Sequence, residues 1–392
     1  MTGEPRVVIV GGGLGAVRTA QAVRDLGHGG EVRILSAEAE IPYDRPPLSK
    51  GHLAGSFDDT ALALLPPESY AGLDIRLELD QEVVRIESDD RTVVTADGTR
   101  VPYDRLVIAT GAQPRSLPIL ADRPGAFPLR TATQSRRLAA SVRKGRPIAV
   151  VGGGFIGLEV AATARTAGCD VHVVEAQPAP LLGAVGPDIA RWLRTRHEQH
   201  GVEFHCGVTV VAAEDRPGGG ERLGLSDGTS IDAEAVVVGV GVVRDTAWLA
   251  EAGLEIADGL VCDEHGHTNL PDIFGVGDIV CRRTAAGSAP VGHWTAAGTS
   301  ARLAAHALLG LDVPDLVDDG FFWSDQYDLR LQSVGRINPG DEFAVAAGDM
   351  NDNSFVAQFR ADGEVTAILA VNNPRQFLRH RRDLRATAAA PR

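Results

Sequence analysis

The chain has 392 residues, 44% of them hydrophobic and 23% charged, with a formal net charge of −14. That length exceeds one ordinary core and predicts two or three domains, and the acidity excludes general binding to nucleic acid or anionic membrane, though not a local basic patch. Cys169, Cys206, Cys262 and Cys281 stand far apart with no CxxC spacing, which points to a reducing compartment rather than a disulfide framework. A strand-like run begins at Arg6 and leaves no room for a signal peptide. The longest apolar run, Ala235 to Val243, is too short to cross a bilayer, so the expected location is the cytoplasm.

The first predicted element is the apolar strand VVIV after Arg6, which runs into Gly11-GGLGA. Helical sequence follows to Gly27, then a strand at Val32-RIL and an acid, Glu38. The same grammar returns at Pro147: IAVV, then Gly152-GGFIG, helical sequence to Gly168, the strand Val171-HVV and Glu175. A dinucleotide explains the order. The first glycine permits a tight turn, the second lets backbone approach a pyrophosphate, and the third lets helix and strand pack closely. Free N–H groups at the helix start face the phosphates, and the acid accepts hydrogen bonds from ribose hydroxyls. The second copy is complete in Gly152, Gly154, Gly157 and Glu175. The first has Gly11, Gly13 and Glu38, with Gly15 inside the turn and Ala16 at the third glycine position. Two fingerprints, each with its acid, predict two Rossmann-like dinucleotide-binding domains in an α/β chain.

Leu106-VIATG ends a predicted strand in Thr110 and Gly111, and Asp272-IFGVGD ends another in Gly277 and Asp278. In this order around the second fingerprint, these segments resemble the flavoprotein arrangement. That resemblance implies FAD on the first fingerprint, a nicotinamide on the inserted second one, and Asp278 on the ribityl chain. No cysteine precedes Cys169, so neither a CxxxxC disulfide nor a single redox cysteine follows the first acid. Tyr43-DRPPLSK occupies that place. Together with Val150-VGGGFIGLEVA, Gly239-VGVVRDT, Thr268-NLPDIFGVGD, His293-Trp294 and Phe322-WSDQYDLRLQ, it resembles the NADH-dependent ferredoxin reductases of bacterial oxygenase systems. The resemblance covers nearly the whole chain.

It implies two Rossmann-like domains, for FAD and NADH, plus a C-terminal α+β domain. Their bounds are 1–115 with 246–318 for FAD, 116–245 for NADH, and 319–392. It implies that NADH gives a hydride to FAD, and that FAD passes electrons singly to a ferredoxin or rubredoxin serving a downstream oxygenase. Lys50 is set beside flavin N5 and paired with Glu159, expected in the first turn of its helix, as the catalytic residues. Arg45, His293, Trp294, Trp323 and Gly241 join the cofactor-binding set, with Gln326 expected near Trp323. A helix from Ala296 to Leu309 is expected to aim its N-terminus at the flavin. The chain departs from its relatives at Gly292, Ala296 and Thr299, where they often carry Glu, Asn and Gln, and near Ala179, where they often carry Arg. Two other readings share the fold: an NADH oxidase, and a non-enzymatic NADH-binding protein of the apoptosis-inducing-factor group.

His197 with His200, His205 beside Cys206, and Cys262 with His265 and His267 offer no complete ligand set at zinc spacing, so no metal is expected. Glu175 predicts NADH over NADPH, since Ala176-QPAPLLG holds no cation for a 2′-phosphate. Pro374-RQFLRHRRDLR carries Arg375, Arg379, Arg381, Arg382 and Arg385 against Asp383. As a helix it sets Arg375, Arg379 and Arg382 on one side, with Phe377, Leu378 and Leu384 as anchors. It is the expected docking surface for an acidic iron–sulfur protein, with Arg136-Arg137 to Arg143-Lys144 as the alternative.

Overall fold

The structure, a computed structural model, describes residues 3–284, 287–290 and 292–389. It contains two compact units. One comprises Met1–Asp44, Leu62–Gln113 and Val243–Asp318; the other comprises Arg45–Ala61, Pro114–Val242 and Asp319–Arg392. Arg45–Ala61, read from the sequence as part of the FAD domain, packs with the second unit.

The first unit is built on a parallel sheet in the order Ile273–Gly275, Arg105–Ile108, Val7–Val10, Val32–Leu35, Ile75–Glu78. Val7–Val10 is buried at every position, as a central strand covered on both faces must be. On one face the helices Leu14–Asp25 and Trp294–Leu308 join a single cluster through Ala16, Val17, Ala20, Ala301, Ala304 and Ala305. These small side chains let backbones approach closely in a chain poor in aromatics. On the other face, Ile86, Val93 and Val101 come from an antiparallel meander, Val83–Glu87, Thr92–Thr95 and Arg100–Pro102, and Tyr103 follows its last strand into the same cluster.

The second unit repeats the plan with Val202–Cys206, Val171–Glu175, Ile148–Val151, Ala235–Val238 and Ala126–Phe127, all parallel. Its helix Phe155–Thr166 follows the glycine turn, and Leu182–Gln199 breaks at Gly186, where φ is 75° ahead of Pro187. Leu53 from the short helix Gly51–Ala54 enters the same core as Leu138, Val150 and Val160. The C-terminal part is an antiparallel sheet, in the order Phe322–Gln326, Leu329–Gly335, Glu364–Val371, Ser354–Ala361, Glu342–Asp349. The helix Pro374–Ala389 covers it through the buried Phe377. The α/β class with a C-terminal α+β part is therefore as the sequence predicts. Among the described residues no helix is long and apolar enough to cross a membrane.

Candidate functional site

In the first unit, four neighbouring parallel strands end side by side, and the predicted residues follow their C-terminal ends. Gly11 N donates to Leu35 O at 2.9 Å, Ala109 N to Val10 O at 2.8 Å and Val276 N to Ile108 O at 2.9 Å. Gly11, Thr110 with Gly111, and Gly277 with Asp278 thus line one sheet edge, where α/β sheets bind ligands. Gly11 has φ +127°, and a Cβ there would meet Ala109 O at 2.3 Å. A Cβ on Gly13 would meet nothing within 4 Å, whereas on Gly15 it would lie 3.1 Å from Val276 Cγ1. Ala16 is fully buried at the third position. The helix Leu14–Asp25 has no side-chain cap and no acid in its first turn, so its leading N–H groups remain for an anion. The buried Thr110 hydroxyl has no hydrogen-bond partner among the described residues. An uncapped helix start, an open cradle at Gly13 and an orphaned hydroxyl on one sheet edge fit a dinucleotide.

Two side chains missed by the sequence reading organise this unit. The Tyr43 hydroxyl donates to Glu38 Oε2 at 2.5 Å, fixing the acid that follows Val32–Leu35. Trp294 Nε1 donates to Asp44 Oδ1 at 2.6 Å. The helix begins at Trp294 rather than Ala296, and its N-cap His293 has φ +82°, a conformation rare outside glycine. Ala296 is buried, so the position where relatives often carry a polar side chain is a packing position here. Both Tyr43 and Asp44 stand in the quoted motif, but nothing in their spacing names their partners.

In the second unit the second fingerprint has the same geometry. A Cβ on Gly152 would meet Gly239 O at 2.3 Å, on Gly157 it would meet Gly152 O at 2.2 Å, and on Gly154 nothing within 4 Å. The helix Phe155–Thr166 is likewise uncapped and free of acid in its first turn. By contrast, Thr131 closes a full capping box on the neighbouring helix Ala132–Val142. Glu175 Oε2 accepts from Gly153 N at 2.7 Å and Oε1 from Gln177 N at 2.8 Å, so the glycine loop itself orients the acid. Gly241 (φ +101°) follows Ala235–Val238, and its carbonyl accepts from Arg115 N at 2.9 Å.

Lys50 and Glu159 meet. Lys50 Nζ donates to Glu159 Oε2 at 2.7 Å and to Pro46 O at 3.0 Å. The same oxygen accepts from Ser49 Oγ at 2.6 Å, and Oε1 accepts from Ser324 Oγ at 2.7 Å. Glu159 is not in the first turn of its helix, as expected, but one turn further in; helix-dipole stabilisation gives way to these explicit donors. Arg45 Nη1 donates to Arg130 O at 2.6 Å. His52 bridges Ser135 Oγ at 2.7 Å and Asp59 at 2.9 Å, seating Arg45–Ala61.

Several other expectations change. Gln326, expected near Trp323 at the flavin, is buried, with its amide bonded to Ser324 and His197. Trp323 stacks on Phe321 at 6.2 Å, on the opposite strand face. Leu378 is no anchor: it is 56% exposed and lies among Arg375, Arg379 and Arg382, while Phe377 and Leu384 do pack inward. Arg381 and Arg385 are taken by Asp319 at 2.7 and 2.8 Å. Arg136 is bound to Asp59 and Arg137 lies over the Phe127 ring; all four cations of that alternative surface are exposed, and Arg143 and Lys144 make no ion pair among the described residues. Two groups, His172 with Glu203 and His205, and Asp263 with His265 and His267, bring ligand atoms within 4.8 Å of one another. Each already holds an internal contact, His172 to His205 at 3.2 Å and His267 to Asp263 at 2.9 Å, and neither offers four ligands.

The family model for pyridine nucleotide-disulphide oxidoreductases matches residues 5–301, and one for a reductase C-terminal domain matches residues 321–392. The chain is 36% identical to a probable ferredoxin reductase, CtmF, of Castellaniella defragrans, over 96% of this chain and 93% of that one. It is 34% identical to the ferredoxin–NAD(+) reductase component of the p-cumate 2,3-dioxygenase system of Pseudomonas putida, over 96% and 92%. Among solved structures, the covalent putidaredoxin reductase–putidaredoxin complex matches with a TM-score of 0.93 and 31% identity, over 98% of this chain and 93% of that one.

Proposed function

The chain belongs to the pyridine nucleotide-disulphide oxidoreductase family, and from that premise we infer an FAD-dependent NADH:ferredoxin reductase. It carries electrons from NADH through FAD to a small iron–sulfur protein that serves an oxygenase. One observation carries the reading. Where a disulphide reductase of such a fold needs cysteines, residues 42–50 hold none, and Lys50 stands there instead, fixed by Glu159 and Pro46 O. The four cysteines are unpaired, and Cys169, Cys262 and Cys281 are buried.

When bound, FAD takes up a hydride's two electrons and releases them one at a time, a chemistry no side chain here possesses. The residues of the chain bind and orient. Gly11, Gly13, Gly15 and Ala16 admit the FAD pyrophosphate to the start of Leu14–Asp25. Glu38, steadied by Tyr43, takes the ribose hydroxyls. Thr110 and Gly111 offer backbone and hydroxyl at the next strand end, and Asp278 takes the ribityl chain. The leading N–H groups after His293 and Trp294 favour negative charge on the ring edge they face. Gly152, Gly154 and Gly157 admit the NADH pyrophosphate, Glu175 its ribose, and Gly241 lies at the following strand end. Glu175 and the absence of cations in residues 176–183 favour NADH over NADPH. Arg45, Lys50 and Trp323 are assigned to the flavin end on the likeness of their motifs, and Lys50 with Glu159 forms the catalytic pair. FAD is assigned to 1–115 with 246–318, apart from Arg45–Ala61, which packs with the second unit, NADH to 116–245, and the C-terminal domain to 319–392. The unpaired cysteines support a cytoplasmic setting.

The test separates the reductase from an oxidase. With NADH in excess and oxygen present, an added ferredoxin should draw most of the electron flux and suppress peroxide formation. Peroxide formed at one unchanged rate, with or without ferredoxin, would make the protein an oxidase.

A further inference from the structure

The strand Phe322–Gln326 alternates its side chains, so Ser324 and Gln326 share a face, and both are buried. Ser324 Oγ donates to Glu159 Oε1 at 2.7 Å. Gln326 Nε2 donates to Ser324 Oγ at 3.1 Å, and Gln326 Oε1 lies 2.8 Å from His197 Nε2. An amide oxygen only accepts, so His197 carries its proton on Nε2 and leaves Nδ1 bare. That bare nitrogen lies 3.2 Å from the Tyr327 hydroxyl, which therefore donates to it. Every donor in the series points toward Glu159. Burial pushes the His197 imidazole down to about 4, which keeps it neutral and preserves that polarity at neutral pH. At the far end Tyr327, with φ +56°, stacks on His200 at 3.8 Å and 10°.

Buried polar side chains are costly unless fully satisfied, and apolar residues would fill the same space more stably. This series is satisfied link by link, and it ends on the one carboxylate that holds Lys50. We propose that Ser324, Gln326 and His197 are positioning residues for the Glu159–Lys50 pair, a one-way hydrogen-bond relay that fixes the carboxylate plane and thereby the direction of the lysine's remaining N–H. The inference rests on the reading of Lys50 and Glu159 as the catalytic pair. A terminal carboxylate torsion is soft, so without the Ser324 donor only the Ser49 and Lys50 contacts on the other oxygen restrain it. An amide does not pass protons readily, so the relay orients and does not conduct.

Gln326→Glu keeps the shape and removes one donor. The titratable groups along or beside the relay are Lys50, Glu159, Arg165, His197, His200 and Tyr327. In stopped flow, reduction of the enzyme-bound flavin by NADH should slow about tenfold at pH 8, where the new carboxylate cannot donate. It should recover as the carboxyl protonates at lower pH, with the Kd for NADH and the FAD content unchanged. A readout independent of activity is 15N-histidine NMR of the wild-type holoenzyme, in which His197 should appear as the Nε2–H form and stay neutral down to pH 5. A wild-type rate for Gln326→Glu at pH 8, or a His197 that carries its proton on Nδ1 or titrates near 6.5, overturns the relay. If Gln326→Glu fails to fold, Ser324→Ala is measured in its place: slowed reduction with FAD retained supports the relay, and an unchanged rate overturns it. Lys50→Met separates the two layers. If it slows reduction while the relay variants do not, the relay falls and the pair stands; if it does not, the pair falls and the relay's purpose with it.

Discussion

Lys50 presents three N–H donors, and Glu159 Oε2 and Pro46 O take two of them. The third is aimed by these contacts and by the prolines at 46 and 47, which stiffen the turn that carries the lysine. A cation so held favours negative charge arriving next to it, and it does little for folding because its partner already accepts from Ser49 and Ser324. Lys50→Met, of similar length, should therefore retain FAD and melt within a few degrees of the parent. Anaerobic stopped flow should find flavin reduction by NADH slower by roughly tenfold to a hundredfold. A reduction rate equal to the parent's would take Lys50 out of the site. The pairing was legible in the motif surrounding each residue. The serine donors were not, because Ser49 and Ser324 are separated by much of the chain and a serine carries no sequence pattern that names its acceptor.

At the scale of the element, the glycine turns were the most legible part of the chain, because each glycine answers a separate steric demand. That separation can be tested inside one helix, Phe155–Thr166. A Cβ at Gly154 would meet nothing within 4 Å, and the residue's extended backbone suits alanine. At Gly157 a Cβ would press on Gly152 O at 2.2 Å, between helix and turn. Gly154→Ala should leave thermal stability unchanged and raise the KM for NADH, since the added methyl fills only the space reserved for pyrophosphate. Gly157→Ala should lower stability by about 1–3 kcal/mol, as overpacking does. Calorimetry beside NADH titration reads the two effects, and a Gly154→Ala protein with an unchanged KM would move the nucleotide elsewhere. Other element-level readings went astray where tertiary contacts decided the outcome. Glu159 sits one turn deeper than expected, where three donors, not the helix dipole, hold its carboxylate. Leu378 faces outward because Phe377, its neighbour, takes the contact with the C-terminal sheet. Gln326 lies buried on the strand face it shares with Ser324 and bonds to Ser324 and His197, partners that no spacing in the sequence names.

For the whole molecule, the question is how an acidic reductase receives an acidic partner. With a formal charge of −14, its overall field repels a typical ferredoxin, so a productive encounter needs a local basic surface. The C-terminal helix Pro374–Ala389 provides one, reduced from the five arginines counted in the sequence. Arg381 and Arg385 are neutralised by Asp319, whose carboxyl they hold below the usual range despite its burial, and Arg381 also lies over the Phe321 ring. These two secure the helix and should be left intact in any test. Arg375, Arg379 and Arg382 are exposed and make no ion pair among the described residues, and Leu378 stands between them. A cationic rim around one exposed apolar side chain suits a small acidic protein, since charge raises the encounter rate and the apolar contact slows release. Reversing Arg379 and Arg382 to Glu should raise the KM for ferredoxin several-fold at low ionic strength. The effect should shrink near physiological salt, where charges beyond about 8 Å are screened. Reduction of ferricyanide, a small acceptor with no need of that surface, should change far less. Leu378→Ala gives the complementary signature, a raised KM that persists in high salt. If neither change alters ferredoxin kinetics at low salt, the partner docks elsewhere, and Arg143 with Lys144, exposed and without an ion pair among the described residues, becomes the next pair to reverse.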